Sequence, residues 1–128
     1  MFDIRVLPVS ELGPDGQRLG RITIGDFTER FACHDTNLSV DDFGRTWTNR
    51  LKSLSRGHTA VALVHDPRFA WIVYREGDQC YVQQILRVDG RFEPVPPRKT
   101  VGEDGDRISE WPVSLQAITE FVKKQPVE

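Results

Sequence analysis

The chain has 128 residues, with 19 acids against 17 lysines and arginines and a formal charge of −2. That balance argues against a nucleic-acid partner, which needs a basic excess, and no apolar run approaches the roughly 20 residues of a membrane span. The length and a 38% hydrophobic content suit one self-sufficient core, so a single domain over residues 1–128 is expected.

Residues 2–8 form an apolar run in a polar setting and read as a first strand. GPDG at 13–16 is a turn, because proline presets φ and glycine permits a positive one. RLGRITIG at 18–25 reads as the partner strand, with Ile22 and Ile24 on one face. Asp26 and Glu29 fall in the turn that follows, as capping or ion-pairing residues. Residues 39–56 then switch to helical period. Val40, Phe43, Trp47, Leu51 and Leu54 share one stripe, Ser39 stands at the N-cap, and Gly57 stops the helix. Asp41 and Asp42 occupy the first turn, where the helix dipole favours acids.

Next, residues 59–95 read as an antiparallel meander. TAVALVH (59–65) and QCYVQQILRV (79–88) flank FAWIVYRE (69–76), which is apolar on both faces like a central strand. Gly77-Asp78 and Asp89-Gly90 supply two-residue turns, and RFEPV closes the series as a short last strand. PVPPRK (94–99) is an extended connector, since prolines donate no ladder bond. Residues 113–123 form a second helix, capped by Ser114, with Leu115, Ile118, Phe121 and Val122 facing inward. The fold class is α+β: an antiparallel sheet of about five or six strands flanked by two amphipathic helices.

The chemistry is sparse. Cys33, His34, His58, His65 and Cys80 match no zinc spacing, and GEDGDRISE puts Asp106 where a calcium loop needs glycine, so no metal is expected. Ser109 lacks the flanking glycines of a nucleophile elbow, and Gly102 and Gly105 lie among acids that repel phosphate. No cofactor is expected. Cys33 and Cys80 form no CxxC pair and read as reduced structural thiols in a cytoplasmic protein. MFDIRVLP has neither region of a secretory leader. An acidic loop without a catalytic grouping favours a binder over an enzyme. The alternatives are a small enzyme or ligand-binding domain with His65 and Asp66 at a pocket mouth, or a structural subunit.

The order of the segments carries more than any one of them. ITIGDFTERF (22–31), a helix with Phe43 and Trp47, WIVYREGDQCYVQQILRV (71–88), VPPRKTV (95–101) and GDRISEW (105–111) follow one another. Over roughly residues 22–121 this series resembles a family of immunity proteins from bacterial contact-dependent growth inhibition systems. The resemblance implies a cytoplasmic antidote that binds the C-terminal toxin domain delivered by a neighbouring cell. Such toxins are often nucleases with basic clefts, which an acidic surface suits. Glu103, Asp104, Asp106 and Glu110 are then the expected partner-binding residues, with Asp41 and Asp42 of the first helix as the second docking candidate. Glu110 has a competing reading as the structural ion-pair partner of Arg98, and Trp47, Trp71 and Trp111 read as core.

Overall fold

A computed structural model describes residues 1–126. Strands β1 (Phe2–Val6), β2 (Arg18–Ile24) and β3 (Phe27–Cys33) form a first antiparallel sheet in that order. β3 differs from the expectation of a turn with Asp26 and Glu29. Gly25-Asp26 is the two-residue loop of a hairpin, with Gly25 at φ +59 and Ile24 paired to Phe27. Along β3, Phe31 and Cys33 are buried while Thr28 and Arg30 face water, so the strand alternates as a half-buried edge must.

Ser39 caps a 3-10 turn (Val40–Asp42) that leads into α1 (Phe43–Leu54). The expected stripe is the buried one: Val40, Phe43, Trp47, Leu51 and Leu54. Trp47 also donates its indole N–H to the Val64 carbonyl at 2.9 Å, which ties the helix to the second sheet.

That sheet runs β4 (Ala60–Asp66), β5 (Phe69–Glu76), β6 (Gln79–Leu86), β7 (Trp111–Ser114), all antiparallel. RFEPV does not form the expected last strand. Pro94, Pro96 and Pro97 remove ladder donors, and Phe92 turns down instead onto Ala62, Ala70, Ile72 and Tyr74 on the outer face of the sheet. The fourth strand is β7, where Pro112 is tolerated because it lies at the sheet edge opposite Tyr81. Ser114 ends β7 and caps α2 (Leu115–Lys123), accepting from Ala117 N at 3.1 Å. The helix therefore starts two residues later than expected, on the expected cap.

The α+β class, the antiparallel pairing and the two amphipathic helices stand as expected. The strands divide three and four rather than joining one sheet. One core cluster fills the space between the sheets and helices, from Phe2, Ile4 and Ile22 through Trp47 and Leu51 to Trp71, Val82 and Phe121. Hydrogen bonds join the sheets at one corner: His34 N donates to the His65 carbonyl at 3.0 Å, and the His65 ring bonds the Ala32 carbonyl at 2.9 Å.

Candidate partner-binding surface

The chain between the proline connector and β7 carries most of the expected binding acids. Val101 bridges to Arg107, and Ile108 N donates to Thr100 O at 2.9 Å. Gly102 N reaches Asp106 O at 2.8 Å, and Gly105 N reaches Gly102 O at 3.0 Å, with Gly105 at φ +84. Asp106 N donates to the Asp104 carboxylate at 3.0 Å. These bonds make the loop a hydrogen-bonded hairpin tip. It holds Glu103, Asp104 and Asp106 out in solvent, and none of the three has an ion-pair partner among the described residues.

Glu110, at the foot of this tip, has a different role. Its carboxylate is paired with the Arg98 guanidinium, which bonds it through Nη2 and, at 3.1 Å, through Nε. Arg98 also reaches Glu76 at 2.8 Å and lies 3.7 Å above the Tyr81 ring. Gln83, buried below, donates to Glu110 at 2.8 Å and to the Lys99 carbonyl at 2.9 Å. The Arg98 bonds hold the Glu110 carboxyl below its ordinary value against the opposing effect of burial, with Gln83 assisting. The same pairing raises the Arg98 guanidinium further. The structural ion pair is therefore the reading that fits Glu110. It fastens the connector and the tip to β6.

Asp41 and Asp42 lie in the 3-10 turn that precedes α1 rather than in the helix's first turn, away in the chain from the tip. Each meets an arginine of its own chain: Asp41 pairs with Arg18 at 3.0 Å and Asp42 with Arg45 at 2.8 Å. Their charge is partly answered at home, whereas that of the tip is not.

His65 and Asp66 do not form a pocket mouth. His65 is 3% exposed, with one ring nitrogen on Ala32 O and the other 3.2 Å from the Gln84 amide. Burial lowers its pKa and keeps it neutral. Burial alone would raise the Asp66 carboxyl, but the Arg68 N–H at 3.0 Å and His34 at 2.7 Å hold it below its ordinary value. Both cysteines are buried and free, and burial pushes Cys33 up to about 12 and Cys80 up to about 11, the range of inert thiols. Among the described residues no three His, Cys, Asp or Glu side chains are grouped to hold a metal ion. No helix among them is long and apolar enough to cross a membrane.

One surface was not legible in the sequence. Phe27 stacks on Trp111, ring centroids 4.1 Å apart, where β3 crosses the start of β7. Phe31 lies 4.5 Å from His65 and 5.8 Å from Trp71. Glu29 stands between these two phenylalanines on the same face of β3. The signal for it was the alternation of Phe27, Phe31 and Cys33, which becomes visible once Gly25-Asp26 is read as a hairpin.

Residues 35–121 match the family model described as the CdiI N-terminal domain. The chain belongs to the CdiI immunity-protein family. The Immunity protein CdiI of Enterobacter cloacae subsp. cloacae is 29% identical over 120 residues, covering 78% of this chain and 81% of the relative. A solved CdiA-CT/CdiI toxin and immunity complex from Enterobacter cloacae contains a chain of the same fold. That match has a TM-score of 0.70 and 24% identity, and covers 96% of this chain and 97% of that one. As a member of the CdiI family the chain is an immunity protein and not an enzyme. Within the CdiI match lie α1, the whole second sheet and the acidic tip; β1 to β3 precede it.

Proposed function

We propose that this chain binds and neutralises a cognate C-terminal toxin domain in the cytoplasm, and that the toxin is a nuclease. No nucleic acid or membrane takes part in the binding. CdiI membership supports the antidote role, as does the fold shared with a protein solved in a toxin and immunity complex. The observation that carries the choice of target is the tip: three exposed acids without counter-ions, held on a hydrogen-bonded hairpin. A nuclease presents a basic cleft to its substrate, and an acidic projection competes for that cleft. Long-range attraction of this kind acts mainly on the association rate and is weakened by salt.

The test is to mix the chain with its cognate toxin domain, sought in the gene next to its own, and follow both nucleic-acid cleavage and binding kinetics. Cleavage should stop at equimolar chain. Replacing Glu103, Asp104 and Asp106 together by serine should slow association at low salt and leave melting unchanged. A triple variant that associates as fast as wild type at low salt would remove the tip from the docking surface. A toxin domain that cleaves neither DNA nor RNA would remove the nuclease.

A further inference from the structure

We infer that the seam between the two sheets seats a basic side chain of the toxin domain, arginine fitting best, with Glu29 as its counter-charge. This rests on the proposed toxin-binding function and names a residue for it.

Glu29 is set apart by how the other acids are treated. Among the described residues, every other buried or half-buried carboxylate has a partner of its own. Asp3 holds Arg5, Glu11 holds Arg30, Asp42 holds Arg45, Asp66 holds His34 and Glu110 holds Arg98. Glu29 is half-buried and has no hydrogen bond or ion pair among the described residues. It also faces inward. On the opposite face of β3, Thr28 meets Thr23 at 3.3 Å and Arg30 reaches Glu11, so Glu29 shares the side of Phe27 and Phe31 that turns to the second sheet. A carboxylate half removed from water without a partner is unfavourable, and a cation supplied from outside offsets that cost.

The surroundings select the kind of cation. The stacked Phe27 and Trp111 close one end with two partly exposed aromatic rings, against which a guanidinium packs better than an ammonium. Beyond it, β6 presents Gln84 opposite Trp71 and Leu86 opposite Phe69 on the same side of the sheet, and Leu86 is 52% exposed. An unanswered charge between the aromatic rings of Phe27 and Phe31 has the composition of a binding hot spot. The acidic tip runs directly into Trp111, so the surface that attracts a basic partner is continuous in the chain with the seam that seats it.

The experiment measures the affinity of the neighbouring-gene toxin domain for wild type, Glu29→Gln and Leu86→Arg. Glu29→Gln keeps the side-chain shape and removes the charge. It should weaken binding by about 30-fold or more, as loss of one member of a desolvated charge pair does, and should melt no lower than wild type. Leu86→Arg adds a like charge on an exposed wall and should weaken binding by about tenfold through repulsion. If wild type binds tightly and Glu29→Gln binds equally, the seam inference falls and the antidote function stands. If wild type does not bind at all, the function falls and takes the seam with it. A Glu29→Gln variant that melts well below wild type would make the carboxylate structural and overturn the inference.

Discussion

The two sheets share antiparallel pairing and similar strand lengths, yet they are covered differently. The second sheet is packed on both faces. The main core lies on one, and on the other Phe92 and Val95 of the connector cover Ala62, Ala70, Ile72 and Tyr74. Five consecutive residues of β5, Ala70 to Tyr74, are buried as a result. The first sheet has one packed face only. Its other face carries Arg5, Thr23, Thr28 and Arg30; the threonines meet each other, Arg30 reaches Glu11, and Arg5 folds over the buried Asp3 carboxylate. The second sheet is the framework that sets stability. The first contributes less to the core, and its β3 is the strand that places an unanswered acid at the seam.

The largest effects should come from the doubly covered sheet. Trp71 is fully buried, so Trp71→Ala should cost about 3–5 kcal/mol, as truncation of a large core side chain does; Trp47→Ala should cost the same, since it also loses the bond to Val64. Denaturant titration measures both. A loss below about 1 kcal/mol at Trp71 would mean that the core is not organised around β5. Next comes the second face. Phe92→Ala should cost about 3 kcal/mol, the low end for a buried phenylalanine, because a connector relaxes more readily than a strand. No change on melting would show that the connector does not cover the sheet.

The corner where the sheets meet should show a pH dependence. Burial lowers the His65 pKa, so the folded state holds the neutral ring while the unfolded chain protonates near the ordinary value of about 6.5. Stability from this site is complete above that value and is lost as pH falls through it toward the folded pKa. Asp66 and Glu110, both held below the ordinary carboxylate range, lose their contribution only at more acid pH. The melting temperature should therefore drop between pH 7 and 5, and His65→Gln should flatten that drop. A wild-type curve flat over this interval contradicts the neutral, buried ring. The smallest effect belongs to the solvated face: Thr28→Ala should change stability by no more than about 0.5 kcal/mol, and a loss several times larger would mean that the first sheet is packed on both sides after all.

Legibility in the sequence followed the same division. Strong periods survived: the α1 stripe and the β5 run are where burial is most complete, so pattern and packing agree there. Gly25-Asp26 and Gly77-Asp78 are the same hairpin device, with glycine at φ +59 and +66, but only the second was readable. The first was hidden because Glu29 interrupts the inward alternation of β3. The residue that blurs the strand pattern is the one proposed to meet the partner, and local rules are expected to break at such positions. β7 was lost for another reason. Pro112 denies it a strand signature, and its partner β6 lies far back in the chain. The composition of the acidic tip was plain, but its rigidity depends on backbone bonds from Thr100, Gly102 and Gly105 that side-chain chemistry does not announce. Glu110 was readable in both roles until Arg98 and Gln83 were placed around it.

The most direct measurement is the dissociation constant between this chain and its proposed cognate toxin domain, taken over a range of salt. An antidote must outcompete the toxin's substrate, so binding at nanomolar level or tighter is predicted, about 12 kcal/mol, with an association rate that falls as salt rises. Binding no tighter than micromolar, or toxin action undiminished with the chain in excess, would contradict the antidote function.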